Sequence, residues 1–120
     1  MTDTFEEWLS RTQVQRDALF AYAKTETPTD PVLISGDIDK AMRAEFAAGI
    51  QLVDCDYFLT GETAKAVMAY KEDEKSAKER DILVKDSVKG IRRLRDSLSL
   101  LKDILIARRI AGFGARKGFL

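Results

Sequence analysis

The stretch "GIRRLRDSLSLLKDILIARRI", residues 90–110, decides the fold, because its large apolar residues recur at helical spacing. Steps of three and four, which align side chains on one face of a helix, connect Ile91, Leu94, Leu98, Leu101 and Leu105. Other apolar residues widen this face beyond the seam of a two-stranded coiled coil: Val84, Val88, Leu100, Ile104, Ile106 and Ile110. A helix over residues 82–111 would be about 45 Å long at 1.5 Å per residue. The sequence therefore predicts an elongated molecule.

Upstream, the first helix is predicted over residues 4–24. Thr4 and Glu7 have the spacing of a capping box, and apolar residues follow at helical intervals. The next stretch, "TETPTDP" at residues 25–31, contains two prolines and several residues that compete with the backbone for hydrogen bonds. We expect a connector there, with Pro31 able to open a short helical turn.

A second helix is predicted to begin at "SGDID", residues 35–39, where Ser35 or Asp37 would accept hydrogen bonds from the free amides of the first turn. Its predicted end is near Gly61. The residues expected to face inward recur every three or four positions: Ile38, Met42, Phe46, Ile50, Val53 and Tyr57.

A third helix is expected from Glu62, because neither proline nor glycine occurs before Gly90. Residues 71–81 contain Ala77 as their one apolar residue, so they form either a solvated helix or a loop, and we favour a continuous helix. The predicted fold is all-α, an elongated bundle of three or four helices with a long C-terminal helix. A chain of 120 residues fits one domain of this kind.

The formal charge of the chain is zero, but the charges are separated along the sequence. Residues 1–81 carry 10 Lys and Arg against 17 Asp and Glu, or −7, and residues 82–120 carry 10 against 3, or +7. We expect the basic C-terminal helix to pack beside acidic helices. The alternative is a basic surface for nucleic acid or for an acidic protein. We disfavour nucleic acid because the cations spread around the helix and no aromatic residues lie among them for base stacking.

Chemistry-bearing motifs are scarce. The sequence contains no histidine, which removes the commonest general base and metal ligand. Cys55 lies among apolar residues and is predicted to be a buried structural thiol. No phosphate-loop or calcium-loop spacing occurs. We predict a protein that is not an enzyme and has no cofactor or metal. The acidic N-terminus lacks the pattern of a secretory signal, so we expect a cytoplasmic protein without a membrane span.

The C-terminal stretch "GFGARKGFL", residues 112–120, breaks the helical pattern. Gly112 is predicted to end the long helix, which divides the chain into a helical bundle of residues 1–111 and a flexible tail of residues 112–120. The tail would either be a frayed end or become ordered on a partner through Phe113, Phe119 and Leu120.

Taken together, the "SGDID" helix opening, the leucine-patterned C-terminal helix and the "GFGARKG" ending resemble the flagellar and type III export chaperones of the FlgN type. The resemblance implies an antiparallel bundle of three long helices that holds a secreted client, typically a hook–filament junction protein. The client surface that it implies consists of Leu94, Leu98, Leu101, Leu105 and Phe113, to which Phe119 adds a second tail anchor. Substituting Leu98 and Leu101 with Asp would then abolish client binding. The alternative is that the same leucines form the core of the bundle.

Two other functions remain open from the sequence. A homo-oligomerisation module, such as a phage or cell-architecture component, would bury the same leucines between copies of the chain. A basic adaptor for nucleic acid comes third, and its binding would fall steeply with added salt.

Overall fold

In this computed structural model the described residues, 3–71 and 76–118, form five α-helices. They are α1 (Phe5–Arg11), α2 (Gln13–Ala23), α3 (Pro31–Tyr70), α4 (Ala77–Ser87) and α5 (Lys89–Lys117). No β-strand occurs in these two ranges, and the molecule measures 68 × 28 × 18 Å. The prediction of an elongated all-α fold with a long C-terminal helix is confirmed. The number of helices is five instead of three or four.

Two short breaks account for the additional helices. At Thr12 the backbone has φ −98° and ψ 0°, which separates α1 from α2. The Thr12 hydroxyl donates to the carbonyl oxygen of Trp8 at 2.8 Å and accepts from Arg16 at the same distance. At Val88, φ −109° and ψ 11° separate α4 from α5 in a similar way. The predicted helix over residues 4–24 is thus divided at Thr12, and the predicted long helix is divided at Val88.

Helix α3 begins earlier than the sequence suggested. The Asp30 carboxylate accepts a hydrogen bond from the Val32 amide at 3.0 Å, and Pro31 occupies the first turn. An aspartate at the N-cap followed by proline is a strong helix start, because proline has no amide hydrogen that needs a partner. The predicted start at residues 35–39 is therefore wrong. The capping role predicted for Thr4 is confirmed, since its hydroxyl accepts from the Glu7 amide.

Helix α3 also ends later than predicted, because it continues through Gly61 to Tyr70. One glycine inside a helix costs only about 1 kcal/mol relative to alanine, which a helix of 40 residues tolerates. The separate third helix expected from Glu62 is therefore not formed.

The continuous helix favoured over residues 71–81 is wrong as well. Helix α4 starts at Ala77, where the Ser76 hydroxyl accepts a hydrogen bond from the Glu79 amide at 3.2 Å. Residues 72–75 lie outside the described ranges.

Helices α3 and α5 form an antiparallel pair, and the other helices pack against it. Arg109 pairs with Glu45 and Arg95 lies near Asp56, so the sequence numbers run in opposite directions along the two helices. Helices α1 and α2 pack against this pair, and α4 packs against the C-terminal part of α3. The core combines residues from α1, α2, α3 and α5: Trp8, Leu19, Ala44, Ala48, Cys55, Phe58, Ile91, Leu98, Leu101 and Leu105.

Cys55 is buried in this core, as the sequence predicted. Its thiol lies 3.5 Å from the carbonyl oxygen of Ile91. Burial is the main cause that raises the pKa of the Cys55 thiol to about 11, with a smaller effect from Asp56. The thiol is therefore neutral at physiological pH, as expected for a structural cysteine.

The C-terminal helix does not end at Gly112. Helix α5 continues to Lys117, and no described glycine has a positive φ angle. Gly112 is buried where α5 crosses Ile38 of α3. This glycine thus permits a close approach of two helices instead of ending one. The predicted helix end is wrong, and residues 112–117 belong to α5; Phe119 and Leu120 lie outside the described residues.

We expect Gly112→Ala to lower the free energy of unfolding by about 1–2 kcal/mol. An added Cβ would lie 2.7 Å from Cγ1 of Ile38, whose side chain is buried and has restricted rotamers. Gly114→Ala is the matched control, since an added Cβ there meets nothing within 4 Å. That control should gain up to about 1 kcal/mol from helix propensity. Urea unfolding of both variants would measure the difference, and equal stabilisation of the two would contradict the close approach.

Candidate partner-binding groove

A row of large apolar side chains on α3 is exposed to solvent. We define the α3 stripe as Met42, Phe46, Ile50, Val53 and Tyr57, which are 48–71% exposed. Their steps of four, four, three and four place them on one helical face. The sequence predicted these five residues to face inward together with Ile38, and of the six Ile38 alone is buried. That prediction is corrected for the five residues of the stripe.

The face of α3 that is buried has a different composition. Four alanines, one cysteine, one glutamine, one aspartate and three larger apolar side chains are buried on α3: Ile34, Asp37, Ile38, Ala41, Ala44, Ala48, Gln51, Cys55, Phe58 and Ala66. Small residues let the axes of neighbouring helices approach closely, so that the leucines of α5 fill the space between them. The larger residues of the stripe are therefore left on the outer side of α3.

Four residues of the α3 stripe line an open groove of about 620 Å³ together with α5: Met42, Phe46, Ile50 and Val53. Gly49 lies between the two helices in this groove, and an added Cβ there would be 3.8 Å from the Lys102 Nζ. Arg109 of α5 lines the same groove. Its guanidinium donates to a Glu45 carboxylate oxygen at 2.9 Å, which joins the two helices at the edge of the groove.

Helices α1 and α2 lie against another part of the α3 surface. The indole nitrogen of Trp8 donates to Asp54 at 3.2 Å, and Gln51 donates to Gln15 at 2.7 Å. Leu19 and Tyr22 of α2 line a separate cleft with Ala44 and Ala47 of α3. The Met42–Tyr57 face is therefore left uncovered by the helices that the structure describes.

The leucines predicted to hold a client are part of the core. Leu98, Leu101 and Leu105 are 0–1% exposed, and Leu94 is partly buried against the same cluster. The chain's own helices cover these leucines, so in this structure they belong to the core and do not form an exposed client surface. Phe113 is partly buried on α5, with the Arg116 guanidinium 4.9 Å from its ring centroid. Phe119 lies outside the described residues.

The opposite charges of the two halves meet where α5 packs against α3, as the sequence predicted. Arg109 pairs with Glu45, Arg95 lies 3.8 Å from Asp56, and Arg108 forms a buried pair with Asp37 at 2.7 Å. Three of the cations considered for nucleic-acid binding therefore have carboxylate partners within the chain. This pairing reduces the positive charge that α5 presents to phosphates.

The groove offers mainly apolar contact surface. Apolar side chains dominate its lining, and the described residues contain no group of three or more His, Cys, Asp or Glu placed to hold a metal ion. Within the same residues, no helix is both long enough and apolar enough to cross a membrane. An open apolar groove between two helices is a typical receptor for an amphipathic helix.

No family model, curated protein or solved structure matches this chain.

Proposed function

We propose that this chain is a protein-binding helical module that holds an amphipathic helix of a partner in the groove between α3 and α5. The observation that carries the proposal is the α3 stripe, five large apolar residues in helical register that are about half or more exposed. A contiguous apolar patch of this kind is rare on a monomeric protein unless it binds something. A bound helix with apolar residues at the same spacing would cover the stripe.

The arrangement of the helices supports the proposal. The described helices form three rods: α1 with α2, α3, and α4 with α5. The first and third rods run antiparallel to α3. In four-helix bundles, a fourth helix packs against the remaining open groove and completes a common core. A partner helix in the groove beside the α3 stripe would supply such a fourth rod.

The finer proposal is that the partner is a secreted protein and that the chain is an export chaperone of the FlgN type. The resemblance stated above carries this proposal, and the three-rod antiparallel arrangement agrees with it. The place of binding changes, from the α5 leucines to the α3 stripe. Covering an amphipathic helix of the client would prevent that helix from assembling before export.

We expect the double substitution Phe46→Asp and Ile50→Asp to weaken binding of such a client at least 100-fold. Each large apolar side chain contributes about 1.5–3 kcal/mol when it is fully buried, and two new carboxylates would be desolvated at the centre of the interface. Calorimetric titration against hook–filament junction proteins encoded by the same genome would measure the loss. Because both residues are exposed, the melting temperature should change little.

Val14→Asp is the matched control, since Val14 is 83% exposed and lies on α2, away from the stripe. It should bind like the unsubstituted protein. A client that binds the double variant with unchanged affinity would reject the groove. Absence of binding to any junction protein by the unsubstituted chain would reject the export-chaperone proposal.

The second candidate is a homo-oligomerisation module. The α3 stripe favours it because an apolar row on one helix can pack against the same row of a second copy, as twofold interfaces require. Sedimentation of the purified chain separates the two functions. A dimer that dissociates when Phe46 and Ile50 are replaced by Asp would favour oligomerisation.

A further inference from the structure

Helix α5 carries cations at every seventh position beside the groove. This cation row consists of Arg95, Lys102, Arg109 and Arg116. Seven residues correspond to nearly two helical turns, so the four side chains lie on one side of α5 at intervals of about 10.5 Å. Two members of the row, Lys102 and Arg109, line the groove directly.

Two members of the cation row have carboxylate partners on α3. Arg95 lies 3.8 Å from Asp56, and Arg109 lies 2.9 Å from Glu45. In an antiparallel pair of helices, residue numbers increase along one helix while the numbers of the residues opposite decrease. By this register, Lys102 lies opposite Gly49, between the two ion pairs.

The position opposite Lys102 therefore has no side chain. An added Cβ at Gly49 would be 3.8 Å from both Cε and Nζ of Lys102, which places the ammonium group directly beside the glycine. Within residues 3–71 and 76–118, no carboxylate lies within ion-pair distance of Lys102. The two acidic residues that line the groove are engaged elsewhere, Glu45 by Arg109 and Asp54 by the Trp8 indole.

We infer that the partner helix carries an acidic residue beside its apolar face and that this carboxylate pairs with Lys102 at Gly49. The inference rests on the proposed function and specifies that the partner helix is acidic on one flank. Apolar residues of the bound helix would cover the α3 stripe, and its acidic flank would face the cation row. The glycine leaves room for the partner's carboxylate to reach the ammonium group.

Because Lys102 is partly buried, its charge should affect which partner helices bind. A docked helix would exclude more water from it. A cation that loses water without gaining a partner opposes binding, whereas one that gains a carboxylate favours it. The groove should therefore discriminate between acidic and basic amphipathic helices of equal hydrophobicity.

A pair of synthetic peptides tests the inference. Both are acetylated and amidated 21-residue helices with leucines at the spacing of the α3 stripe, and they differ by carrying either Glu or Lys at the positions flanking the leucines. We expect the full chain to bind the Glu peptide about tenfold more tightly than the Lys peptide in fluorescence anisotropy. Lys102→Glu should reverse this preference, and Lys102→Met should remove it while keeping the apolar stem. Circular dichroism would check the fold of each variant.

Each other outcome overturns the inference, and the outcomes separate it from the proposed function. Equal binding of both peptides, lost in the Phe46→Asp and Ile50→Asp variant, would reject the acidic partner and keep the groove. Failure of both peptides to bind would reject both proposals. If the chain sediments as a dimer that the stripe substitutions dissociate, a second copy occupies the groove instead.

Discussion

Asp37→Ala should lower the free energy of unfolding by about 3–5 kcal/mol, the range expected when one member of a buried ion pair is removed. Asp37 and Arg108 are both buried, and the guanidinium donates to both carboxylate oxygens, at 2.9 and 2.7 Å. Without Asp37, the Arg108 charge would stay buried with only neutral acceptors. Since small domains have a total stability of about 5–15 kcal/mol, this substitution would remove a large share of it.

Arg108 also joins parts of the chain that are distant in sequence. One of its terminal nitrogens donates to the carbonyl oxygens of Tyr22 and Thr25, and the other donates to that of Glu26. These carbonyls lie where α2 ends, and a cation there is favoured by the helix dipole. The Tyr22 hydroxyl donates to Asp37 at 2.7 Å. The loss of Asp37 would therefore loosen the contact between α2, α3 and α5 together.

Asp39→Ala provides the control, because Asp39 is an exposed carboxylate two residues away on the same helix. Its stability in urea should stay within about 0.5 kcal/mol of the unsubstituted protein. If Asp37→Ala were no more harmful than Asp39→Ala, the buried pair would contribute nothing to stability.

The dependence of stability on pH gives a second test of the same pair. The hydrogen bonds from Arg108 hold the pKa of the Asp37 carboxyl below its ordinary value of 3.8, against the opposing effect of burial. A lowered folded-state pKa contributes stability above the unfolded-state pKa, and the contribution disappears as the pH falls through the folded-state value. The stability difference between the unsubstituted protein and Asp37→Asn should therefore be constant near neutral pH and shrink below about pH 4.

The sequence predicted helix content well but assigned the wrong face of α3 to the core. Periodicity identifies the most apolar row of a helix, and on α3 that row includes Phe46, Ile50 and Tyr57. The row chosen by folding contains Ala44 and Ala48 instead, because the α5 leucines already supply the bulk of the core. Helix α3 thus carries two rows of apolar residues, and the core uses the less bulky one.

Other features depended on contacts that periodicity does not report. The N-cap at Thr4 could be predicted because the Glu7 amide that it accepts from is only three residues away. The partner of Gly112 is Ile38, and the partner of Arg108 is Asp37, each more than 70 positions distant in sequence. A glycine in a helix pattern and an arginine in an apolar row are thus visible in the sequence, but their roles depend on how α5 packs against α3.

Leu98→Asp should unfold the bundle, whereas Phe46→Asp should leave it folded. The Leu98 side chain is fully buried, so the substitution removes core packing worth about 2–5 kcal/mol and also buries a carboxylate without a partner. The combined cost is comparable with the whole stability of a small domain. Phe46 is 71% exposed, and its substitution should change stability by less than about 1 kcal/mol. Circular dichroism during thermal melting would measure both effects.

The fold of each variant determines what a loss of partner binding means. If the α5 leucines formed the client surface, Leu98→Asp and Leu101→Asp would each remain folded and fail to bind. In this structure both leucines contact the chain's own helices, so their loss of binding would accompany a loss of helicity. A folded Leu98→Asp variant with a normal melting temperature would contradict the core position of Leu98. A folded Phe46→Asp variant that no longer binds would instead place the partner on the exposed face of α3, because only the surface of the molecule would have changed.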